Sequence, residues 1–334
     1  MGRLSHTVAA LTLLAPSLAA KEAPAQPRAS LQATNMNPLV QIYGLPRMTE
    51  GPKRPRAFRV SLGLDWASHA VSDASDKAVV QFDGETRRYT LKTVGPLAGS
   101  GGWWAVALPF VSHSGGQLDP LIASWHDSWG LPHGNRANRP RNELLYHVVD
   151  SSGRERLSQT RSASGPGDVA LAMGAPLFES LSAGIRIEAP TGDPDKLLGS
   201  GGWDTAAWLA LGDHLGAWSW HLAGGGLYID DSTVLPDRHR TWAPVGRAAL
   251  GWHPLEPFTV HAQLDSHGAM YDSEPTPIGR PALQLRLGAK WHAAQGFRAI
   301  AGFSEDLAVG TGPDITFHLR LSQDFGAHLA ADAI

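Results

Sequence analysis

The stretch from Ile315 to Phe325 reads Ile-Thr-Phe-His-Leu-Arg-Leu-Ser-Gln-Asp-Phe, and apolar and polar side chains alternate along it as far as Ser322. A period of two indicates a β-strand, because successive side chains of a strand point to opposite faces. One face carries four large apolar side chains, and the other carries threonine, histidine, arginine and serine. The stretch therefore predicts a strand with one apolar and one hydrophilic face.

The same design recurs along the chain, at 58–66, 181–188, 258–265 and 283–292. Alternation by itself is also typical of soluble sheets with one wet face. With their flanks, however, these segments reach the roughly 9–11 residues that a tilted strand needs to cross a bilayer, whereas soluble strands average about 5–6. A nearly pure apolar face opposite a charged face is typical of a barrel with lipid outside and water inside.

The connections between the segments alternate in length. Tight turns are expected near 179–180, 213–216, 254–257 and 293–296, and longer loops at 190–202, 230–241 and 269–281. Outer-membrane barrels have this arrangement, with short periplasmic turns and longer external loops. Large aromatic residues bracket the tight turns, and the chain has 12 Trp but only 5 Tyr. The expected aromatic girdle at the headgroup level consists of Trp252, Phe258, Trp291, Phe297 and Phe325.

The N-terminus reads as an export signal. An apolar run from Thr7 to Leu14 is followed by small residues up to Ala20, which is typical of a secretory signal peptide with its cleavage site. The chain has no Cys, which excludes disulfides and a lipid-modified N-terminal cysteine. Its net charge of −3 gives no reason to expect nucleic acid as a partner. We therefore expect Sec-type export to the outer membrane of a Gram-negative cell.

Counting strands backwards from Phe325 predicts fourteen, an even number as in single-chain bacterial barrels. The weakest strand is 77–83, which would end in a hairpin turn at Asp83-Gly84. If it and one other segment fail, the barrel has twelve strands. The predicted organisation is a signal peptide at 1–20, a flexible linker at 21–36, a single all-β transmembrane antiparallel barrel at 37–325 and a short tail at 326–334.

The segment 113–141 breaks the strand pattern. Apolar residues at helical spacing, opened by Asp119-Pro120, predict a helix within it. Such a helix could fold back to occlude the barrel or lie on the membrane surface. Fourteen strands would place it on the periplasmic side, and another count would place it outside. The residues expected to form this candidate plug are Leu118, Asp119, Ile122, Trp125, His126, Trp129 and Arg136.

Several short motifs, in order, carry a resemblance to a known family. They are Asn37-Pro38-Leu39, Gly44-Leu45-Pro46, Phe82-Asp83-Gly84-Glu85-Thr86, Gly116-Gln117-Leu118-Asp119, Trp125-His126, Gly130-Leu131-Pro132 and Asn135-Arg136. Together they resemble the bacterial "domain of unknown function 3187" family, over roughly 37–325. The resemblance implies an outer-membrane barrel and brings no activity with it.

Charged side chains are expected on the inward faces, where they must be paired or hydrated. If hydrated, they line a channel biased towards anionic solutes, and if paired, they form a structural network in a closed barrel. The candidate lumen-lining residues are Arg59, Asp65, Arg186, Glu188, Arg247, Asp265, Arg286, Lys290, Arg298, Arg320 and Asp324.

The functional interpretations therefore fall into three classes: a passive channel or uptake barrel for small solutes, a lipid-modifying hydrolase held in the outer membrane, and a closed structural barrel. The hydrolase would draw on Ser112, His113, Ser114, Asp119 and their neighbours, but no nucleophile-elbow motif and no recognised metal-ligand spacing is present. No catalytic residue, metal or cofactor is assigned. The expected partners are outer-membrane lipids, the barrel-assembly machinery that reads the terminal aromatic strand, and small solutes.

Overall fold

Antiparallel strands form nearly all the regular structure in the described part of the chain. The computed structural model describes residues 31–48, 57–75, 78–98, 101–129 and 142–326. The predicted signal peptide, residues 21–30 of the predicted linker and residues 327–334 of the tail lie outside these ranges. The strands are β1 (Phe58–Ala74), β2 (Ala78–Pro96), β3 (Trp103–Ser114), β4 (Leu145–Asp150), β5 (Glu155–Gln159), β6 (Ala163–Pro166), β7 (Val169–Pro176), β8 (Leu181–Ala189), β9 (Asp204–Leu215), β10 (Trp218–Ile229), β11 (Trp242–Leu255), β12 (Phe258–His267), β13 (Ala282–His292), β14 (Phe297–Asp306) and β15 (Ile315–Phe325).

Helical structure is scarce in the described ranges. It consists of α1 (Asp119–Trp129), α2 (Thr276–Gly279) and two single 3₁₀ turns at Pro194–Lys196 and Ala294–Gly296. No helix there is both long and apolar enough to span a bilayer.

Twelve strands close into a barrel: β1, β2, β3 and β7 to β15. The ring closes where β15 pairs with β1, in a register that runs from Phe58 opposite Phe325 to Ser68 opposite Ile315. The short β6 continues β7 along the same neighbour, β3, after a break at residues 167–168. A closed ring leaves no unpaired strand edge, as a membrane-spanning sheet requires.

The alternation predicted from the sequence is the alternation of the barrel wall. On β15, Leu319 and Leu321 are exposed, whereas the neighbouring Arg320 and Ser322 are buried. On β1, Leu62 is 57% exposed between buried Ser61 and inward-facing Gly63. The exposed side is apolar and the buried side is polar, the reverse of a soluble sheet. This pattern confirms the predicted all-β transmembrane barrel with an apolar exterior.

The two ends of the barrel differ in their connections. At one end lie the start of β1, the end of β15 and the short links at 177–180, 216–217, 256–257 and 293–296. At the other end lie the end of β3 and longer loops, among them 190–203, 230–241 and 268–281. Because outer-membrane barrels have short periplasmic turns and longer external loops, we call the first end the periplasmic end and the second the external end.

The ring has the lower of the two predicted strand counts, because two expected strands are not separate wall strands. Residues 78–83 are the first part of β2, which continues through Gly84 because β1 pairs with it from Val79 to Val94. Residues 145–150 form β4, which pairs with that outer part of β2 and makes a hairpin with β5 beyond the ring. With twelve strands, the start of segment 113–141 lies at the external end.

Candidate functional site

The interior of the ring, called the lumen below, is rich in charge. All the charged residues that the sequence analysis assigned to it occur on the inward faces of their strands. Asp265 of β12 is bonded to Arg247 at 2.6 Å and also contacts Arg286. Asp324 of β15 lies between Arg59 at 2.6 Å and Arg298 at 2.7 Å. The lumen charges therefore form ion pairs between neighbouring strands.

A second group of pairs lies nearer the external end. Glu188 of β8 contacts Arg186 at 2.6 Å and Arg88 at 3.6 Å. Lys290 of β13 is buried too, but it lies near the opposite end of the barrel, close to the link at 293–296. Arg88 was not among the predicted lumen residues, although the alternation along β2 places it inward. Its position shows that the sequence analysis listed too few cations.

The lumen is occupied by residues 31–48, called the lumen segment below. All of its residues are buried except Gln32 and Thr34, which are partly exposed. The sequence analysis assigned 31–36 to a flexible linker, but these six residues lie inside the ring, and four of them bond to its wall or loops: Leu31, Gln32, Ala33 and Asn35. The reason is that the ring offers them partners from strands far away in the sequence.

Both ends of the lumen segment, near Ala33 and near Arg47, are hydrogen-bonded to the middle of the barrel wall. Arg247 donates to the backbone oxygen of Arg47 at 2.7 Å and to that of Ala33 at 3.3 Å. The amide of Gln263 bonds to the backbone N–H and C=O of Leu31, at 2.7 and 3.1 Å. Arg247 therefore holds the two ends of the lumen segment together.

The tip of the lumen segment is fastened to the external loops. Asn37 donates to the backbone oxygen of Pro277 at 2.9 Å, and Gln41 donates to that of Leu197 at 2.8 Å. Tyr43 donates to the hydroxyl of Tyr271 at 2.8 Å. Burial raises the pKa of both tyrosines well above the ordinary value, so both phenols stay protonated and can donate.

A local signal for the tip exists in the sequence, but the sequence analysis did not use it. Asn35 accepts from the backbone N–H of Asn37, and Asn37 accepts from that of Leu39, at 2.9 and 3.0 Å. These are Asx turns, in which a short side chain replaces a backbone partner. Two asparagines at this spacing before Pro38 indicate an ordered turn rather than a linker.

The predicted helix in segment 113–141 is present as α1. Glu85 of β2 holds the two residues that precede α1. It accepts from the backbone N–H of Gln117 at 2.5 Å and also from that of Leu118. Leu118 and Ile122 are buried, as the helical stripe predicted. Asp119 accepts from the backbone N–H of Asn142 at 3.0 Å. The side chains of Trp125, His126 and Trp129, together with Arg136, lie outside the described part of the chain, so occlusion by this segment stays a prediction.

Among the described residues considered for a hydrolase, His113 is not placed to act as a general base. His113 is fully buried, and both of its ring nitrogens are engaged, one with Thr86 at 2.9 Å and one with the backbone oxygen of Leu197 at 3.0 Å. A general base needs a free nitrogen facing a nucleophile. His113 instead ties β3 to the external loop after β8.

The aromatic residues near the short links lie on the outer surface. Trp252, Phe258, Trp291 and Phe325 are all exposed. Trp218 adds to them and stacks on Trp252, with ring centroids 6.1 Å apart. These positions are where a girdle at the headgroup level would lie.

Comparisons with known proteins agree with the fold. The model of the family described as "Protein of unknown function (DUF3187)" matches residues 7–325. The structure is similar to the COG4313 outer membrane channel from Pseudomonas putida F1, with a TM-score of 0.54 and 16% identity over 83% of this chain and 100% of that chain. It also matches the P. putida toluene transporter TodX, with a TM-score of 0.39 and 13% identity over 82% and 91% of the two chains. No curated protein matches the sequence. The first likeness shows a shared outer-membrane barrel fold.

Proposed function

This chain belongs to the DUF3187 family, and we propose that it is an outer-membrane channel for small solutes, biased towards anions, whose lumen is closed by its own residues 31–48. In this proposal the chain reaches the outer membrane by Sec-type export, and the assembly machinery folds it there among the lipids.

The lumen segment is the observation that carries the proposal. A structural barrel could fill a narrow lumen with wall side chains alone. Here a separate piece of chain fills it, and hydrogen bonds hold that piece to the wall. Because these bonds can be exchanged for bonds to water, the segment can move without breaking the ring.

Charge pairing accounts for the closed state. Each of three lumen carboxylates has two basic partners. They are Asp65 with Arg47 and His318, Asp265 with Arg247 and Arg286, and Asp324 with Arg59 and Arg298. Paired charges in a filled lumen do not line a wide water-filled pore. Passage therefore requires the lumen segment to shift, or a narrow path beside it. Among the described residues, nothing favours the hydrolase over this proposal.

Single-channel recording in planar bilayers tests the proposal. We expect the parent protein to conduct weakly and a variant lacking residues 31–48 to conduct in larger steps, with both proteins migrating as folded, heat-modifiable barrels on semi-native gels. A folded deletion variant that conducts no more than the parent would contradict the proposal.

A cross-link provides a second test that does not depend on the deletion variant folding. The chain has no Cys, so a Leu31→Cys, Gln263→Cys pair adds the only two thiols at positions that contact each other. Oxidation should lower the conductance, and reduction should restore it. Single-cysteine variants treated in the same way serve as controls.

A further inference from the structure

A small space lies inside the ring between the lumen segment and one sector of the wall. Two indoles border it, Trp103 of β3 and Trp208 of β9. Each indole lies against a glycine of the strand beside it, since a Cβ on Gly174 would lie 2.6 Å from the Trp103 ring and one on Gly184 would lie 2.3 Å from the Trp208 ring. The other apolar side chains at the space are alanines of β3 and β7, namely Ala105, Ala107, Ala170 and Ala172.

The size of this space limits what it can hold. Its volume is about 20 Å³, and a single water molecule needs about 10–15 Å³. Phosphate, sulfate and organic solutes are too large for it. The space therefore takes one water molecule or one monoatomic ion.

Three cations reach the space: Arg47 of the lumen segment, Lys92 of β2 and Arg186 of β8. Arg186 is paired with Glu188 at 2.6 Å. Lys92 donates to the side-chain amide oxygen of Gln32 at 3.2 Å, and no carboxylate of the described residues lies within ion-pairing distance of it. The ammonium group of Lys92 is therefore matched by a neutral acceptor and not by a negative charge.

The positive charge around the space is incompletely balanced. The nearest oxygen of Asp65 is 3.9 Å from Nη2 of Arg47, and Nη1 of Arg47 is buried without a hydrogen-bond partner in the described structure. The amide oxygen of Gln32 that accepts from Lys92 also accepts from Arg320, at 2.6 Å. Because buried charges are unfavourable unless they are paired, an anion in this space would stabilise the folded barrel.

Hydrogen-bonding capacity distinguishes an anion from a water molecule here. Arginine, lysine and the indole N–H can only donate, and alanine side chains neither donate nor accept. A water molecule in the space would thus find no side-chain acceptor for its own hydrogens. A monoatomic anion needs no acceptor, and it supplies the missing negative charge. Chloride is the common biological anion of this kind and is only slightly larger than water.

We infer that this space is a binding site for one chloride ion, held by Lys92 and Arg186 of the wall and by Arg47 of the lumen segment. Because the ion contacts both the wall and the segment, it joins them at a place where the protein has no direct hydrogen bond between Arg47 and the two wall cations. The inference goes beyond the proposed channel function, since this ion is a bound part of the closed barrel and not a solute that passes through it.

Crystals of the parent protein grown in sodium bromide test the site directly. Bromide replaces chloride, and its anomalous scattering marks its position. We expect an anomalous peak inside the ring, in contact with the side chains of Lys92, Arg186 and Arg47. An interpretable map without a peak at this position would overturn the inference.

Urea unfolding of the barrel in detergent provides a test in solution. Chloride is titrated against gluconate, which is too large for the space, at constant sodium concentration and ionic strength. A ligand that binds only the folded state stabilises it until the site is filled. The urea midpoint on semi-native gels should therefore rise with chloride and then level off, and bromide should have the same effect. A midpoint that does not depend on chloride would overturn the inference.

Variants test whether the chloride dependence comes from this site. Lys92→Met should raise the chloride concentration needed for half of the effect at least about tenfold, because a charged hydrogen bond is lost. Ala172→Leu should fill the space and remove the dependence. Lys290→Met is the matched control and should keep it, because Lys290 is buried in the same lumen but does not border the space. A folded Lys92→Met variant with the chloride dependence of the parent would overturn the inference.

Neither measurement depends on conductance, so the site and the channel can fail separately. A barrel that binds bromide at this position but does not conduct in planar bilayers supports the site and contradicts the channel. A barrel that conducts as proposed, but shows neither the bromide peak nor the chloride dependence, contradicts the site alone.

Discussion

Asp65 on β1 and His318 on β15 are joined by a hydrogen bond of 2.7 Å between the Asp65 carboxylate and the His318 Nδ1. The two residues are direct partners where the first and last strands close the ring. The same carboxylate faces Arg47 of the lumen segment at 3.9 Å. On the far side of the imidazole, Nε2 bonds to the hydroxyl of Ser304 at 3.0 Å. One carboxylate therefore links the closing seam to the segment inside it.

Asp65→Ala should destabilise the barrel, because it leaves two buried partners without their acceptor. Removing one member of a buried ion pair costs about 3–5 kcal/mol. The loss can be measured as a lower urea midpoint for the folded fraction on semi-native gels. Glu155→Ala, which removes an exposed partner of His147, should have little effect. Equal shifts for the two variants would show that the seam carboxylate has no special role.

Arg247→Met should release the lumen segment, because it removes the guanidinium that bonds to both ends of the segment. Hydrogen bonds from charged donors are worth about 1.5–3 kcal/mol each, so the released population should rise by at least about tenfold. Channel recordings should then show more frequent open events. Arg59→Met is the matched control, since Arg59 pairs with Asp324 and not with the segment. Identical recordings for both variants would contradict the assigned role.

Leu319→Arg should weaken the barrel strongly, because Leu319 is exposed on the lipid face near mid-height, opposite Leu64 and Ala301. An arginine at the bilayer midplane costs about 2–4 kcal/mol, falling to about 0–1 near the interface. Leu215→Arg, at the end of the exposed face of β9 beside the link at 216–217, should therefore be milder. Urea midpoints of the two variants give the comparison, and equal losses would contradict the assigned depth.

Asp168→Asn should loosen the external loop at 190–203. Buried Asp168 accepts from the backbone N–H groups of Gly192 at 2.7 Å and Ser200 at 2.8 Å, one on each oxygen. An amide would turn its NH₂ towards one of these donors, at about 1–3 kcal/mol. Limited proteolysis of the folded barrel should cut this loop faster. Asp193→Asn, at an exposed position of the same loop, is the control, and similar cleavage of both variants would refute the anchor.

The sequence predicted the wall of the barrel well, because facing depends on local alternation. A strand such as 315–325 shows its two faces without reference to its neighbours. Counting strands was harder. Asp83-Gly84 has the composition of a hairpin turn, yet β2 runs through it because β1 continues alongside, with His69 opposite Gly84. The pairing with β1 cannot be recognised from the few residues around Asp83-Gly84.

The same limit applies to the candidate site. The inward positions of Arg247 and Arg320 followed from alternation, but their partners did not. Arg247 bonds to the backbone at Arg47, 200 residues away, and Arg320 bonds to Gln32, 288 residues away. No periodicity within either stretch connects the two members of such a pair.

By itself, the sequence determined the fold class, the apolar exterior, the charged interior and the presence of a helix within 113–141, since each depends on the order of side chains within one short segment. Only the tertiary structure decided that twelve strands form the ring and that residues 31–48 fill it. Closing the ring brings distant strands together. The space inside it, and the donors and acceptors that face that space, exist only once the ring has closed.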